Sequence, residues 1–415
     1  MQLRIQFLVQ SSPNQEQESR EFKFLPLYVL SFSGDLLLSL MIVASVLVGT
    51  RQDVPGYITG LLASAYGISY MFAAIFLGRV SDRLGRRNSL LLATSGVIVV
   101  SILFIIFSNS VMFALLGEIL VGILNGMYWP SIEAYTSEES THANHQKQIN
   151  SFCISWSLGY MSGPAVAAIL YSYHPVFSFV IMAAFAALNL LIVLFTLPKL
   201  PKSLPKPEEG MNGEKNGEKT PKLAIWLSTF ILVFLAATYS FTKSFVVGVF
   251  PDIAKNDIYL NWPDWQASLS LFVFGLARTV AFLTQSLIKK HTMSLRIFLG
   301  FAVSGSLFFF ALSKLFIPLF LFSILVGFLT GLVYTMTLEK LLQVNKEGKG
   351  QAAGLFESSM GVGTFASALL GGIALSIGNE ITAYVLVGFT SIAMAAIALI
   401  LYLIYKKKEG NSNLL

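Results

Sequence analysis

Residues 78–87 read Gly78-Arg79-Val80-Ser81-Asp82-Arg83-Leu84-Gly85-Arg86-Arg87, a charged stretch wedged between apolar runs at 56–78 and 89–109. About 20 apolar residues, rising about 1.5 Å each, cross the roughly 30 Å hydrocarbon core of a bilayer. Moving outward from this stretch, the same criterion gives runs at 24–48, 112–134, 150–173, 175–197, 222–249, 265–288, 295–313, 315–338, 352–377 and 380–405. That makes twelve predicted spans. Backbone polar groups in lipid must be satisfied within the segment, so each span is expected to be helix. The fold class read here is an all-α polytopic membrane protein.

Composition agrees. The chain of 415 residues is 55% hydrophobic and only 12% charged, with a mean hydropathy of +0.69. Soluble domains carry about a quarter charged residues, so the solvent for most of this chain is lipid. The single cysteine, Cys153, excludes an intrachain disulfide. A pI near 9.2 suggests nucleic acid at first. The basic residues sit instead in short loops between apolar runs, a topology pattern, and no nucleic-acid partner is expected. Residues 1–23 are polar and mixed in charge, which reads as an N-terminal tail and not as a secretory signal peptide.

The longest polar interruption, 198–221, is rich in Pro, Gly, Lys and Glu and reads as a flexible linker. It divides the spans into bundles at 24–197 and 222–405, followed by a tail at 406–415. With the N-terminus placed inside the cell, the outer loops hold only Arg51, Lys255 and Lys314 of the 28 Lys and Arg, and only Lys243 and Arg278 lie in span interiors, Lys222 and Arg296 falling at inner span edges. All the rest fall inside. This asymmetry predicts a multi-pass cell-membrane protein with both termini cytoplasmic.

An ionisable group inside a span costs about 2.5–3.5 kcal/mol on insertion scales and needs a partner, a wet cavity or a function. Five stand out: Asp35, Glu118, Lys243, Arg278 and Glu357. Spans 3, 6, 9 and 12 have none in their interiors, as expected of helices facing lipid around a cavity lined by the others. In span 4, Glu118, Gly122, Asn125, Gly126, Trp129 and Glu133 share one helix face. Glu118 with Lys243, and Asp35 with Arg278, are the expected cross-bundle pairs, one an outer gate and one at the binding level. Trp129, Trp156, Tyr160, Tyr239 and Asn125 are candidate cavity-lining residues, weighed against ordinary packing. Two acids and two bases leave the charge of a solute open.

The stretch 78–87 resembles the signature loop of the major facilitator superfamily, Gly-x-x-x-Asp-Arg/Lys-x-Gly-Arg-Arg/Lys, at every defining position. Gly78 and Gly85 suit close helix approach and a sharp turn. The resemblance implies that Asp82 meets the positive end of span 11. Arg83, Arg86 and Arg87 are placed to pair with Glu133, Glu138 and Glu139 or with lipid phosphates. Glu118-x-x-x-Gly122-x-x-x-Gly126-x-x-x-Pro130 is similar to the family's fourth-helix pattern, with Glu118 where proton-coupled members carry arginine. Gly159-x-x-x-Gly163-Pro164-x-x-Ala167-Ala168 is similar to its exporter motif, with alanines replacing the last two glycines. Both stretches also suit plain Gly/Ala helix packing.

The resemblance implies two six-helix bundles rocking about a solute site, lined by spans 1, 4, 7 and 10 with parts of 2, 5, 8 and 11. A secondary transporter follows, with a proton-driven antiporter exporting a small solute as the leaning and gradient-driven uptake as the alternative. Asp35 and Glu118 are the titratable candidates for proton coupling. A non-transporting membrane sensor or assembly factor is the reading from another class. No enzyme activity, cofactor or metal is expected: there is no Walker loop, and His142 with His145 lack a third ligand. A monomer embedded in lipid is expected.

Overall fold

The computed structural model describes residues 13–52, 56–141, 144–198, 222–255, 259–288, 292–345 and 348–409. The linker at 199–221 and His142 lie outside them. The first half comprises α1 (Pro13–Arg51), α2 (Gly56–Leu84), α3 (Arg86–Ile106), α4 (Val111–Glu139), α5 (His145–Tyr173) and α6 (Pro175–Thr196). The second comprises α7 (Lys222–Gly248), a short α8 (Phe250–Lys255), α9 (Asp264–Thr284), α10 (Met293–Phe310), α11 (Phe316–Val344), α12 (Lys349–Ile377) and α13 (Glu380–Glu409). Apart from α8, these correspond in order to the twelve predicted spans.

Several boundaries differ from expectation, α4, α5 and α11 each running five or six residues past the predicted span. The signature stretch is mostly helix: α2 continues to Leu84, and α3 begins at Arg86. The turn is confined to Gly85, whose φ of 88° and ψ of 144° only glycine adopts at little cost. At the far end the predicted tail is helical through Glu409, and at the near end α1 begins at Pro13. Among the described residues, nine helices are long and apolar enough to cross a membrane on length and composition. The remaining long helices are α2, α5 and α9, which carry the cross-half contacts described below and are diluted with Gly, Ser and Tyr.

The two halves repeat one packing scheme. α2 packs on α4 as α9 packs on α11, α1 on α5 as α7 on α12, and α3 on α6 as α10 on α13. Across the halves, α2 meets α12 and α5 meets α9, again equivalent pairs. The sequence carries this repeat only faintly, because packing needs matching surfaces and not matching residues. α3, α6, α10 and α13 lie outermost and present large apolar side chains outward, among them Val99, Phe195, Phe298 and Phe389. An apolar girdle of this extent is stable only against lipid.

Small residues set the closest approaches. A Cβ on Gly78 would lie 2.4 Å from the Gly350 carbonyl oxygen, so α2 and α12 touch backbone to backbone there. Gly122 and Gly126 place α4 against Tyr66 and Ala73–Ala74 of α2 in the same way. Gly159 and Gly163 seat α5 on Phe32 and Leu36 of α1. Pro164 lies on α5, with its side chain outside the described set.

Candidate functional site: a charged aromatic cavity between the halves

Two sites lie on the interface between the halves, and α2 and α12 contribute to both. The first is a hydrogen-bonded contact at the basic end. Asp82 Oδ1 accepts from Gly350 N at 3.1 Å and Oδ2 accepts from Gln351 N at 3.0 Å. A carboxylate on two free N–H groups at the N-terminus of α12 meets both unpaired donors and the positive end of the helix dipole. Arg86 orients it: Nη2 lies 2.5 Å from Asp82 Oδ1 and 2.7 Å from Glu138 Oε1, and Nη1 donates to Ser81 Oγ at 2.6 Å. Burial alone would lower the Arg86 pKa, but the hydrogen bond and charge of Glu138, with Asp82, raise it, so the cation persists. Lys349 adds a third tie, donating to the Ser137 carbonyl at 3.1 Å, with its pKa lowered chiefly by burial. Arg87 donates to the Leu194 carbonyl at 2.8 Å. Arg83 is exposed.

Further along the interface is a cavity with an empty volume of about 580 Å³, lined from eight helices. α1 gives Asp35, α4 Trp129, α5 Trp156 and Tyr160, α7 Tyr239 and Lys243, α9 Arg278 and α12 Glu357. α2 and α11 add the tyrosines Tyr66, Tyr70 and Tyr334. α3, α6, α10 and α13, the charge-free spans, contribute nothing to this lining. Four of the five charges picked from sequence therefore meet in one place.

Their pairing departs from expectation. Among the described residues no ion pair joins Asp35 to Arg278, or either cation of the cavity to a carboxylate. Arg278, only 1% exposed, donates through Nη2 to Ser157 Oγ at 3.1 Å, and its Nε has no partner. Its guanidinium sits 4.9 Å from the Trp156 ring centroid and 5.7 Å from that of Tyr160. Lys243 Nζ lies 5.1 Å from the Tyr160 centroid. Both cations of the second half thus rest on rings of the first, an attraction of about 0.5–2 kcal/mol each depending on desolvation.

Glu118 does not reach Lys243. It is fully buried within the first half beside Ser45 of α1, and neither carboxyl oxygen has a hydrogen-bond partner. Counting depth along two helices located both groups at one level but could not reveal that their side chains point into different interfaces. Asn125, expected to line the interface cavity, does not: it lines a smaller pocket inside the first half with Gly34, Tyr128 and Asn189. Its Nδ2 lies 3.4 Å from Tyr66 Oη.

Glu133 is the residue whose setting the sequence hid. It was expected to meet the signature arginines. Instead it is fully buried and accepts from Tyr334 Oη at 3.4 Å through Oε1, while its Oε2 has no hydrogen-bond partner. Tyr70 Oη donates to Glu357 Oε2. The available signal was its place on the same α4 face as Trp129, one turn closer to the basic end. His145 Nδ1 lies 2.7 Å from Ser140 Oγ, and the described residues hold no cluster of three metal-ligating side chains.

Twelve long helices in two repeated halves around a polar interface cavity define a polytopic membrane protein of the transporter type. The Major Facilitator Superfamily profile matches residues 25–341, and the chain belongs to that family. It is 27% identical over 228 residues to the MFS-type transporter YhjO of Bacillus subtilis, covering 54% of this chain and 57% of that one. To the same organism's Multidrug resistance protein 1 it is 23% identical, covering 50% and 52%. To the class B Tetracycline resistance protein of Escherichia coli it is 24% identical, covering 60% and 62%. The matches span about half to three-fifths of these relatives' length. In fold, the chain superposes on the human organic anion transporter MFSD10 (TETRAN) with a TM-score of 0.68 and 16% identity, covering 94% of this chain and all of that one. FucP in the outward conformation gives 0.68 and 13%, covering 92% and 99%.

Proposed function

We propose that this chain is a secondary active transporter of the cell membrane that moves a small organic anion with an aromatic or apolar body, by alternating access of the interface cavity. The observation that carries the solute class is the pair Lys243 and Arg278. They are cations on ring faces, without a carboxylate at ion-pair distance, in a cavity walled by Trp129, Trp156, Tyr160 and Tyr239. The two carboxyls of the lining, Asp35 and Glu357, stand beyond ion-pair distance of both cations, and Glu357 accepts from Tyr70. An anion that bridges Lys243 and Arg278 gains charge-assisted hydrogen bonds, and its apolar body replaces water on the aromatic wall.

Proton-driven export is the direction supported by the exporter-like Gly159–Gly163 helix and by the drug-resistance relatives. Uptake by the same fold is the second reading, favoured by 27% identity to the Lactose permease of Citrobacter freundii over 199 residues. The arrangement is a monomer with both termini and the Asp82 contact on the cytoplasmic side. A non-transporting sensor is disfavoured, since a sensor has no use for charges on both sides of a rocking interface.

The test is thermal stabilisation of the purified chain by a panel of aromatic carboxylates, aromatic ammonium compounds and neutral analogues. Solute-dependent proton flux in proteoliposomes follows for any hit. Stabilisation by carboxylates together with flux is expected. Stabilisation by ammonium compounds alone overturns the solute class, and binding without flux overturns transport.

A further inference from the structure

We infer that the interface cavity selects a zwitterion: the solute's carboxylate bridges Lys243 and Arg278, its ammonium is received by Asp35, and Asp35 sets this choice. The inference rests on the organic-anion reading above and narrows its solute class.

The groups that the protein leaves unpartnered decide the matter. Asp35 is only 7% exposed, it lines the cavity, and no hydrogen bond from a described residue reaches its carboxylate. Donors on its own helix are turned away from it. Ser31 Oγ donates to the Leu27 carbonyl at 2.7 Å, and Ser39 Oγ donates to the backbone carbonyl of Asp35, also at 2.7 Å. Tyrosine hydroxyls of α2, α4 and α11 are spent elsewhere: Tyr70 donates to Glu357, Tyr128 to the Leu30 carbonyl at 2.7 Å, and Tyr334 to Glu133 at 3.4 Å. A carboxylate accepts at about four lone-pair sites, and here the protein fills none of them.

Neither cation of the cavity closes this gap. Lys243 Nζ rests over the Tyr160 ring and the Arg278 guanidinium over the Trp156 ring, both beyond ion-pair distance of Asp35. The cavity therefore holds an acceptor and two cationic donors apart from one another, each waiting for a counterpart.

Charge balance then picks the solute. A plain anion neutralises the cations, but once the halves close over it Asp35 remains a charge out of water with no partner, which is costly. A plain ammonium compound leaves the two cations in that state. A zwitterion answers both ends: its carboxylate accepts charge-assisted hydrogen bonds from Lys243 and Arg278, and its ammonium donates them to Asp35. Its aromatic body lies on Trp129 and Trp156. Glu357, the other carboxyl of the lining, already accepts from Tyr70, so the greater unmet need is at Asp35.

The test is titration calorimetry on the purified full chain with matched probes, phenylalanine against phenylpropionate and para-(aminomethyl)benzoate against para-methylbenzoate. The two zwitterions place the ammonium near to and far from the carboxylate, so the tighter of them reports the spacing. At least one zwitterion is expected to bind about 10- to 150-fold more tightly than its matched carboxylate, the worth of a charge-assisted hydrogen bond. In Asp35→Asn that preference is lost, while the plain carboxylates bind at least as well as to the parent, because the like charge opposing them is gone. Should Asp35→Asn fail to fold, Asp35→Ser carries the same expectation. Plain carboxylates binding as tightly as both zwitterions, a preference that survives in the variant, or an equal loss for both kinds of probe overturns the inference and leaves the organic-anion reading standing. Failure of every carboxylate-bearing probe to bind the parent overturns that reading, and this inference with it.

Discussion

The guanidinium of Arg278 lies 4.9 Å from the ring of Trp156, joining the two halves through a cation on an aromatic face and not through an ion pair. Such a contact holds while the halves tilt, because a ring face tolerates sliding that a directional carboxylate bridge does not. It also leaves the positive charge unspent for a ligand.

Arg278→Lys keeps the charge but loses the planar stack and the fixed geometry toward Ser157. A charge-assisted hydrogen bond is worth about 1.5–3 kcal/mol, so an aromatic carboxylate should bind about 10- to 150-fold more weakly. Titration calorimetry on the purified variant checks this. Unchanged affinity would place the solute elsewhere.

Asp82→Asn leaves one acceptor oxygen for the two donors at Gly350 and Gln351 and removes the charge facing the helix end. The loss should be about 1–2 kcal/mol, the dipole term plus one hydrogen bond, which shifts an open–closed equilibrium roughly 5- to 30-fold toward opening at the basic end. The distance between spin labels on Leu84→Cys and Leu287→Cys, exposed positions in opposite halves, in a Cys153→Ala background reads it directly.

Gly85→Ala places a Cβ on a residue at φ 88° with no neighbour to hinder it. The cost is therefore purely conformational, about 1–3 kcal/mol. A lower melting temperature with unaltered solute affinity is expected. A loss of affinity without a loss of stability would contradict this account of the turn.

Glu118→Leu removes a carboxyl whose two oxygens are buried without partners. Because the residue does not line the interface cavity, the variant should be at least as stable as the parent, gaining about 1–3 kcal/mol from the removed desolvation penalty, with solute affinity kept. Scanning calorimetry and the solute panel together decide it.

The amino-acid sequence by itself determined the class of fold, because lipid imposes a one-dimensional rule: enough apolar residues in a row, polar breaks between, basic residues on one side. The 78–87 stretch also pointed to the family, whose profile matches residues 25–341. The charge-free spans likewise marked the outer helices. What only the tertiary structure decided is which side chains share an interface. Glu118 and Lys243 lie at similar depth, yet one faces α1 and the other the central cavity, and helix rotation separates them. Glu133 stands only five residues from Glu138 on the same helix, but the first accepts from Tyr334 and the second pairs with Arg86. One turn and a half rotates a side chain from the Arg86 cluster to a buried tyrosine, and that rotation is set by packing against α12, which lies more than 200 residues away in the chain.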